Sequence, residues 1–271
     1  MVSGIDGIDF SHSRASYEIT GEAHRYCFYL EMKAKGLPLM VFGQGMQIRK
    51  EITLPRYQRL DWASQLPYNI LIFNDPTLFQ SETLTLGWCT GTLEHPVLPT
   101  HLKIVELVRD FLNISNGKIL FYGSSAGGFT SLMLASSLPG SSALVNNPQT
   151  DVFEFRRAGV QSLITTCFQG KSQDELRPLM AERFSFVEHI KHGGYVPQIY
   201  YLQNLLDDDH YRYHLLPLLD ALKFRSEIQR DHSTKPKIII DLYSDAKQLH
   251  NPVGLLNIKM RLLRVEPWFS V

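Results

Sequence analysis

The chain has 271 residues, 44% of them hydrophobic, and 27 basic side chains balance 27 acidic ones. Such a length and apolar fraction suit a single domain, 1–271, while the zero formal charge argues against a nucleic-acid surface, which needs a basic excess. No run approaches the roughly 20 apolar residues of a membrane span, and the first twenty residues lack a signal-peptide core. The cysteines, Cys27, Cys89 and Cys167, are odd in number and show no metal spacing, so the expectation is a cytoplasmic protein with reduced thiols.

In chain order, residues 1–24 are polar, with an added edge strand as one option around Tyr17 to Thr20. Tyr26 to Met32 and Leu37 to Phe42 read as strands, the second ending at Gly43-Gln44-Gly45. Tyr68 to Phe73 is a third, and Leu84 to Thr92, with Trp88 inside it, reads as a loop packed over the sheet. His101 to Ile114 places Ile104, Val105, Leu107, Val108, Phe111 and Leu112 at helical spacing. Lys118 to Tyr122 is a buried strand, and a helix-compatible run follows to Leu138, before Pro139-Gly140.

Ser142 to Val145 continues the sheet. From 152 to 194 the pattern is helical, with Ser172 and Glu175 spaced as a capping box. About 40 residues is too long for a simple crossover and predicts a helical cap that sets substrate choice. Tyr195 to Leu202 is a strand, Tyr211 to Phe224 a helix, Lys235 to Leu242 the last strand and Gly254 to Val265 a closing helix. Alternating strands and helices predict a mostly parallel central sheet flanked by helices.

Between the strand at 118–122 and its helix stands Gly123-Ser124-Ser125-Ala126-Gly127, a G-x-S-x-G in strand–turn–helix context. This is the nucleophile elbow of an α/β-hydrolase fold. Small neighbours let a strained turn project the Ser125 hydroxyl, and the Ala126 amide opens the helix, where it can donate to an oxyanion. A purely structural turn is the competing reading. A phosphate-cradling loop fits poorly, because the Gly-Lys-Ser/Thr ending and G-x-G-x-x-G are both missing. The glycine-bounded loop after the second strand makes Gln44 or Gly45 the other expected oxyanion donor.

A serine needs a base, and the base a carboxylate. In this fold the acid follows a late strand and the histidine the last one. Asp207, Asp208 and Asp209 follow the strand ending at Leu202, and spacing alone does not choose among them; Asp151 is an outside candidate. A solvated, helix-capping role competes for the run. His250 follows the last strand and is the expected base, whereas His232 precedes that strand. His210 and His214 stand four apart, but no third ligand is spaced to join them as in a zinc-hydrolase helix, so no metal is expected.

Five segments carry a family resemblance: Asp75-Pro76-Thr77-Leu78, Leu86-Gly87-Trp88, the elbow through Gly128, Asn146-Asn147-Pro148-Gln149, and Gln203 to His210. Together they resemble a group of α/β-hydrolase-fold proteins encoded with bacterial capsule and surface-glycan enzymes, among them capsular polysaccharide O-acetyltransferases. The resemblance spans roughly 37–253. It implies Ser125 as nucleophile, Asp207 as acid and His250 as base. It also implies acetyl-CoA as donor and a polysaccharide hydroxyl as acceptor. A longer segment, Arg225 to Pro236, departs from the shorter members. A serine esterase on the same triad, or a non-catalytic hydrolase-fold partner in glycan export, are the alternative expectations.

Overall fold

The apolar runs assemble into one sheet in a computed structural model that describes residues 5–228 and 238–270. Its eight strands are β1 (Arg14–Thr20), β2 (Arg25–Glu31), β3 (Leu39–Phe42), β4 (Asn69–Phe73), β5 (Ile119–Ser125), β6 (Ser142–Pro148), β7 (Gln198–Asn204) and β8 (Ile238–Tyr243). They lie in the order β1-β2-β4-β3-β5-β6-β7-β8. The hairpin β1-β2 and the β2-β4 pair are antiparallel, and β3 to β8 run parallel. This is the α/β-hydrolase arrangement that the elbow predicts. The polar start thus supplies the edge strand β1, through the alternation that buries Tyr17 and Ile19.

Strands β3, β4 and β6 are buried at every residue, as a parallel sheet covered on both faces requires. One face is covered by α1 (Leu98–Leu112) and α2 (Ala126–Ser137), and its core runs through Phe73, Phe121, Phe129 and Val145. The other face buries Tyr122, Leu144 and Tyr200 against Ile258, Leu262 and Trp268 from the C-terminal segment. Helix α1 begins earlier than its apolar spacing suggests, because Pro99 suits the first turn.

Between β6 and β7 lie α3 (Arg157–Cys167), α4 (Gln173–Phe184) and α5 (Phe186–Lys191). The Ser172–Glu175 capping box forms in both directions. Helix α4 contains Pro178 and is kinked at Met180. Phe168, Phe184 and Phe186 join the main core beside α2. Downstream of β7 come α6 (Asp208–His210), a π-helical turn (Tyr211–Leu215) and α7 (Leu216–Ile228); α8 (Leu255–Val265) follows β8. The longer segment expected from Arg225 begins inside α7, while residues 229–237, His232 among them, lie outside the described residues. No helix among the described residues is long and apolar enough to cross a membrane. The three cysteines are free and buried.

Candidate active site

Strand β5 delivers its last residue, Ser125, in a backbone conformation with φ 53° and ψ −125°. A non-glycine residue adopts this only when its surroundings over-determine it. Here they do, because three backbones meet at the elbow. A Cβ on Gly127 would stand 2.6 Å from the carbonyl oxygen of Gly43, and one on Gly128 would stand 2.5 Å from Cβ of Pro148. Helix α2 therefore enters directly above the ends of β3 and β6. The Ser125 carbonyl accepts from the amide of Gln149 at 3.1 Å, which ties the turn to the Asn-Pro-Gln segment. Ala126 is fully buried as the first residue of α2, where an amide has no intrahelical acceptor.

The two expected partners of Ala126 are separated by their contacts. The Gly45 amide donates to Oε1 of Gln58 at 2.8 Å. The Gln44 amide has no acceptor among the described residues. The Gln44 side chain is fixed at both ends: its Nε2 donates to the Arg56 carbonyl at 2.7 Å, and its Oε1 accepts from the Asp75 amide.

The carboxyl ends of β7 and β8 carry the other expected residues. Asp207 Oδ2 lies 2.8 Å from Nδ1 of His250. Its Oδ1 lies 3.1 Å from Nδ1 of His210, whose ring stacks on that of His250 with centroids 4.0 Å apart. Burial pushes the Asp207 carboxyl up, but the hydrogen bonds and charges of the two histidines outweigh it and hold the group well below the usual carboxylate range. His210 is pulled down by burial, against the opposing pull of Asp207. It faces Asp207 through Nδ1, and its Nε2 is buried without a partner among the described residues. His214, pushed down to about 3 by burial, accepts from the Thr150 amide through Nδ1 at 3.2 Å.

Asp208 is exposed and pairs with Arg212 at 2.7 Å, Asp209 is exposed, and Asp151 pairs with Arg177 at 3.1 Å. Among the described residues, Asp207, His210 and His250 bring three ligand-type atoms within 4.8 Å of one another, and His214 is not part of that cluster. Hydrogen bonding to the one carboxylate already accounts for that convergence.

Amide side chains hold these loops in place. Asn147 Oδ1 accepts from the Asn204 amide at 2.8 Å, and its Nδ2 donates to the carbonyls of Leu249 and His250 at 3.3 and 3.4 Å. Asn204 Nδ2 donates to the carbonyls of Asp245 and Leu249 at 2.8 and 2.9 Å. Asn146 Oδ1 accepts from the Val253 amide at 2.8 Å. Asp75 has a similar task farther away: buried, it accepts from the amides of Thr77 at 2.9 Å, within its own segment, and of Cys89 at 3.0 Å, the residue that follows Leu86-Gly87-Trp88. Sequence reasoning marked these segments without giving them these roles. It missed Arg59 altogether, which reaches the residue before Ser125.

No protein-family model matches the chain, and no curated protein matches its sequence. Solved structures do match its fold. A histidine-to-alanine mutant of the capsule O-acetyltransferase of Neisseria meningitidis serogroup A, in complex with CoA, aligns with a TM-score of 0.66 at 14% identity, over 97% of this chain and 99% of that one. A carboxylesterase from Lactobacillus plantarum aligns at 0.58 and 10% identity, over 96% of this chain and 100% of that one. The Gap123 glycosylation-associated complex of Streptococcus agalactiae aligns at 0.56 and 14% identity, over 94% of this chain and 46% of that one. At these identities the likeness is one of fold. The expected resemblance to capsule O-acetyltransferases is present at that level.

Proposed function

We propose that the protein is a serine acyltransferase that moves an acetyl group from acetyl-CoA to a hydroxyl of a bacterial surface polysaccharide. The observation that carries this reading is the Asp207–His250 contact of 2.8 Å, at the same edge of the sheet as the strained Ser125. Asp207 accepts from Nδ1–H of His250 and leaves Nε2 free to take the Ser125 proton. Ser125 Oγ attacks the thioester carbonyl, the carbon–sulfur bond breaks, and the CoA thiolate takes the proton from His250. An acetyl-serine remains. A sugar hydroxyl then gives its proton to Nε2 and attacks the ester, and Ser125 recovers its hydrogen. The amides of Ala126 and Gln44 hold the oxyanion at both stages, and Gly45 is left out because Gln58 occupies its amide. The helical excursion 152–194 serves in this reading as the cap that sets the choice of acceptor.

The His250 side chain is 38% exposed, which favours one second reading, an ester hydrolase with water as acceptor. Both readings share the acyl-serine. Intact-protein mass after incubation with acetyl-CoA tests it. Wild type should gain one acetyl group and Ser125→Ala none. An equal gain on both proteins would falsify the nucleophile. Acetate as the only product in the presence of saccharides would select the hydrolase.

A further inference from the structure

Arg59 has no part in the steps above, yet it stands beside them. It is in the left-handed region, with φ 61°, at the start of a 3-10 turn spanning Leu60–Gln65. Its guanidinium donates to Oγ of Ser124 at 2.7 Å, one residue before the nucleophile. It also lies over two rings, 5.4 Å from the centroid of Trp62 and 5.3 Å from that of Tyr122. No carboxylate among the described residues pairs with it. The Tyr122 hydroxyl beneath is buried and has no partner of good hydrogen-bond geometry among the described residues. Of the five N–H donors of a guanidinium, one has a partner among the described residues. A half-buried guanidinium, stacked on aromatic rings and lacking a counter-charge, is a receptor for a carboxylate or a phosphate.

Strand register shows which side of Ser125 this receptor occupies. Ser124 pairs with Asn146 of the neighbouring parallel strand, so the two side chains leave the same face. Asn146 holds the Val253 amide at 2.8 Å and the Tyr243 hydroxyl at 3.0 Å on that face. Val253 is three residues past His250. Arg59 therefore belongs to the face on which the loop carrying the base is anchored, and the base is the group that receives the acceptor's proton.

Reach then decides whose anion it is. Adjacent Cα atoms are about 3.8 Å apart, so a group held against Arg59 and Ser124 is close to an acyl group on Ser125. In acetyl-CoA the whole pantetheine arm separates the thioester from the phosphates, and both ends cannot occupy this spot. A saccharide can present a hydroxyl and an acidic substituent from one sugar or from two neighbours.

We propose that Arg59 forms the acceptor subsite and binds the carboxylate or phosphate of an acidic saccharide, which makes the acceptor an anionic glycan; this rests on the acyl-transfer reading above. The test is calorimetric binding to Ser125→Ala protein, in which nothing turns over. The probes are glucose, glucuronate, glucose 1-phosphate, inorganic phosphate and CoA. Glucuronate or glucose 1-phosphate should bind about tenfold more tightly than glucose, as a charge-assisted bidentate contact predicts. Inorganic phosphate should bind more weakly than glucose 1-phosphate. Adding Arg59→Gln should abolish the preference and change CoA affinity by less than about twofold. Arg59→Lys, which keeps the charge without the planar fork, should retain only part of the preference and serves if the glutamine variant does not fold.

Equal binding of acidic and neutral sugars overturns the proposal. So does a preference that survives both substitutions, a loss confined to CoA, or phosphate binding as tightly as glucose 1-phosphate. The acetyl adduct on wild-type Ser125 is scored separately. Its absence would remove the transfer reading and leave the binding result to stand or fall alone.

Discussion

Replacing Asp207 by asparagine keeps the shape of the acid and removes its charge. In the proposed mechanism His250 becomes an imidazolium in each transition state, with its Nδ1 2.8 Å from Oδ2 of Asp207. At an effective dielectric constant of about 20, unit charges at that distance attract by roughly 6 kcal/mol. Solvent screens part of this, because the His250 side chain is 38% exposed. A loss of about 3–5 kcal/mol in barrier stabilisation follows, or roughly a 10²- to 10⁴-fold fall in kcat. The asparagine also presents either an N–H that faces the Nδ1–H of His250 or an oxygen that leaves its amide against His210. The assay is acetyl transfer, or release of CoA, compared across Asp207→Asn, Asp208→Asn and Asp209→Asn. Asp208 and Asp209 are exposed and should retain activity within a few-fold. If Asp207→Asn keeps more than about a tenth of the rate while either neighbour is inactive, the assignment of the acid is wrong.

His101 gives a stability test. Its ring is fully buried, stacks on Phe73 at 3.9 Å, and has no partner for either nitrogen, and burial pushes its pKa down to about 3. The unfolded chain takes up this proton below pH ~6.5 while the folded chain does not, so acid favours unfolding across that window. At pH 4.5 the gap is two units, about 2.7 kcal/mol. His101→Phe should reduce the stability lost between pH 7 and 4.5 by that amount in urea titrations, and an unchanged loss would mean the ring is protonated or paired when folded. Gly127→Ala should cost about 1–3 kcal/mol and lower the melting temperature and acyl-serine formation, because the methyl meets the Gly43 backbone at 2.6 Å. Gly254→Ala is its control, with nothing within 4 Å, and an equal loss from the two would sink the argument from packing.

Local periodicity makes most of the sheet legible in the sequence itself. The elbow was visible because its glycines are forced by backbone contacts between strand and helix. Strand ends were less visible: β6 runs on through Asn146, Asn147 and Pro148, which carry no strand preference, and its asparagines are held instead by the Val253 loop and by Asn204 of the next strand. The acidic run could not be divided by spacing, because only the fold brings His250 to Asp207 across a sequence separation of 43. Gln44 and Gly45 looked equivalent until the Gln58 side chain claimed one amide. Arg59 had no signal at all, since its meaning depends on Ser124 and on two rings from distant segments.

The clip formed by Asn147 and Asn204 is made wholly of neutral amides and backbone groups. Neither salt nor protons act on such bonds in the way they act on a charged pair. Asp207 and His250 add one charged contact between the same two loops, beside this frame of neutral bonds and not in place of it. Loss of that one charged contact therefore leaves the two loops in register, because the amide clip holds them on its own.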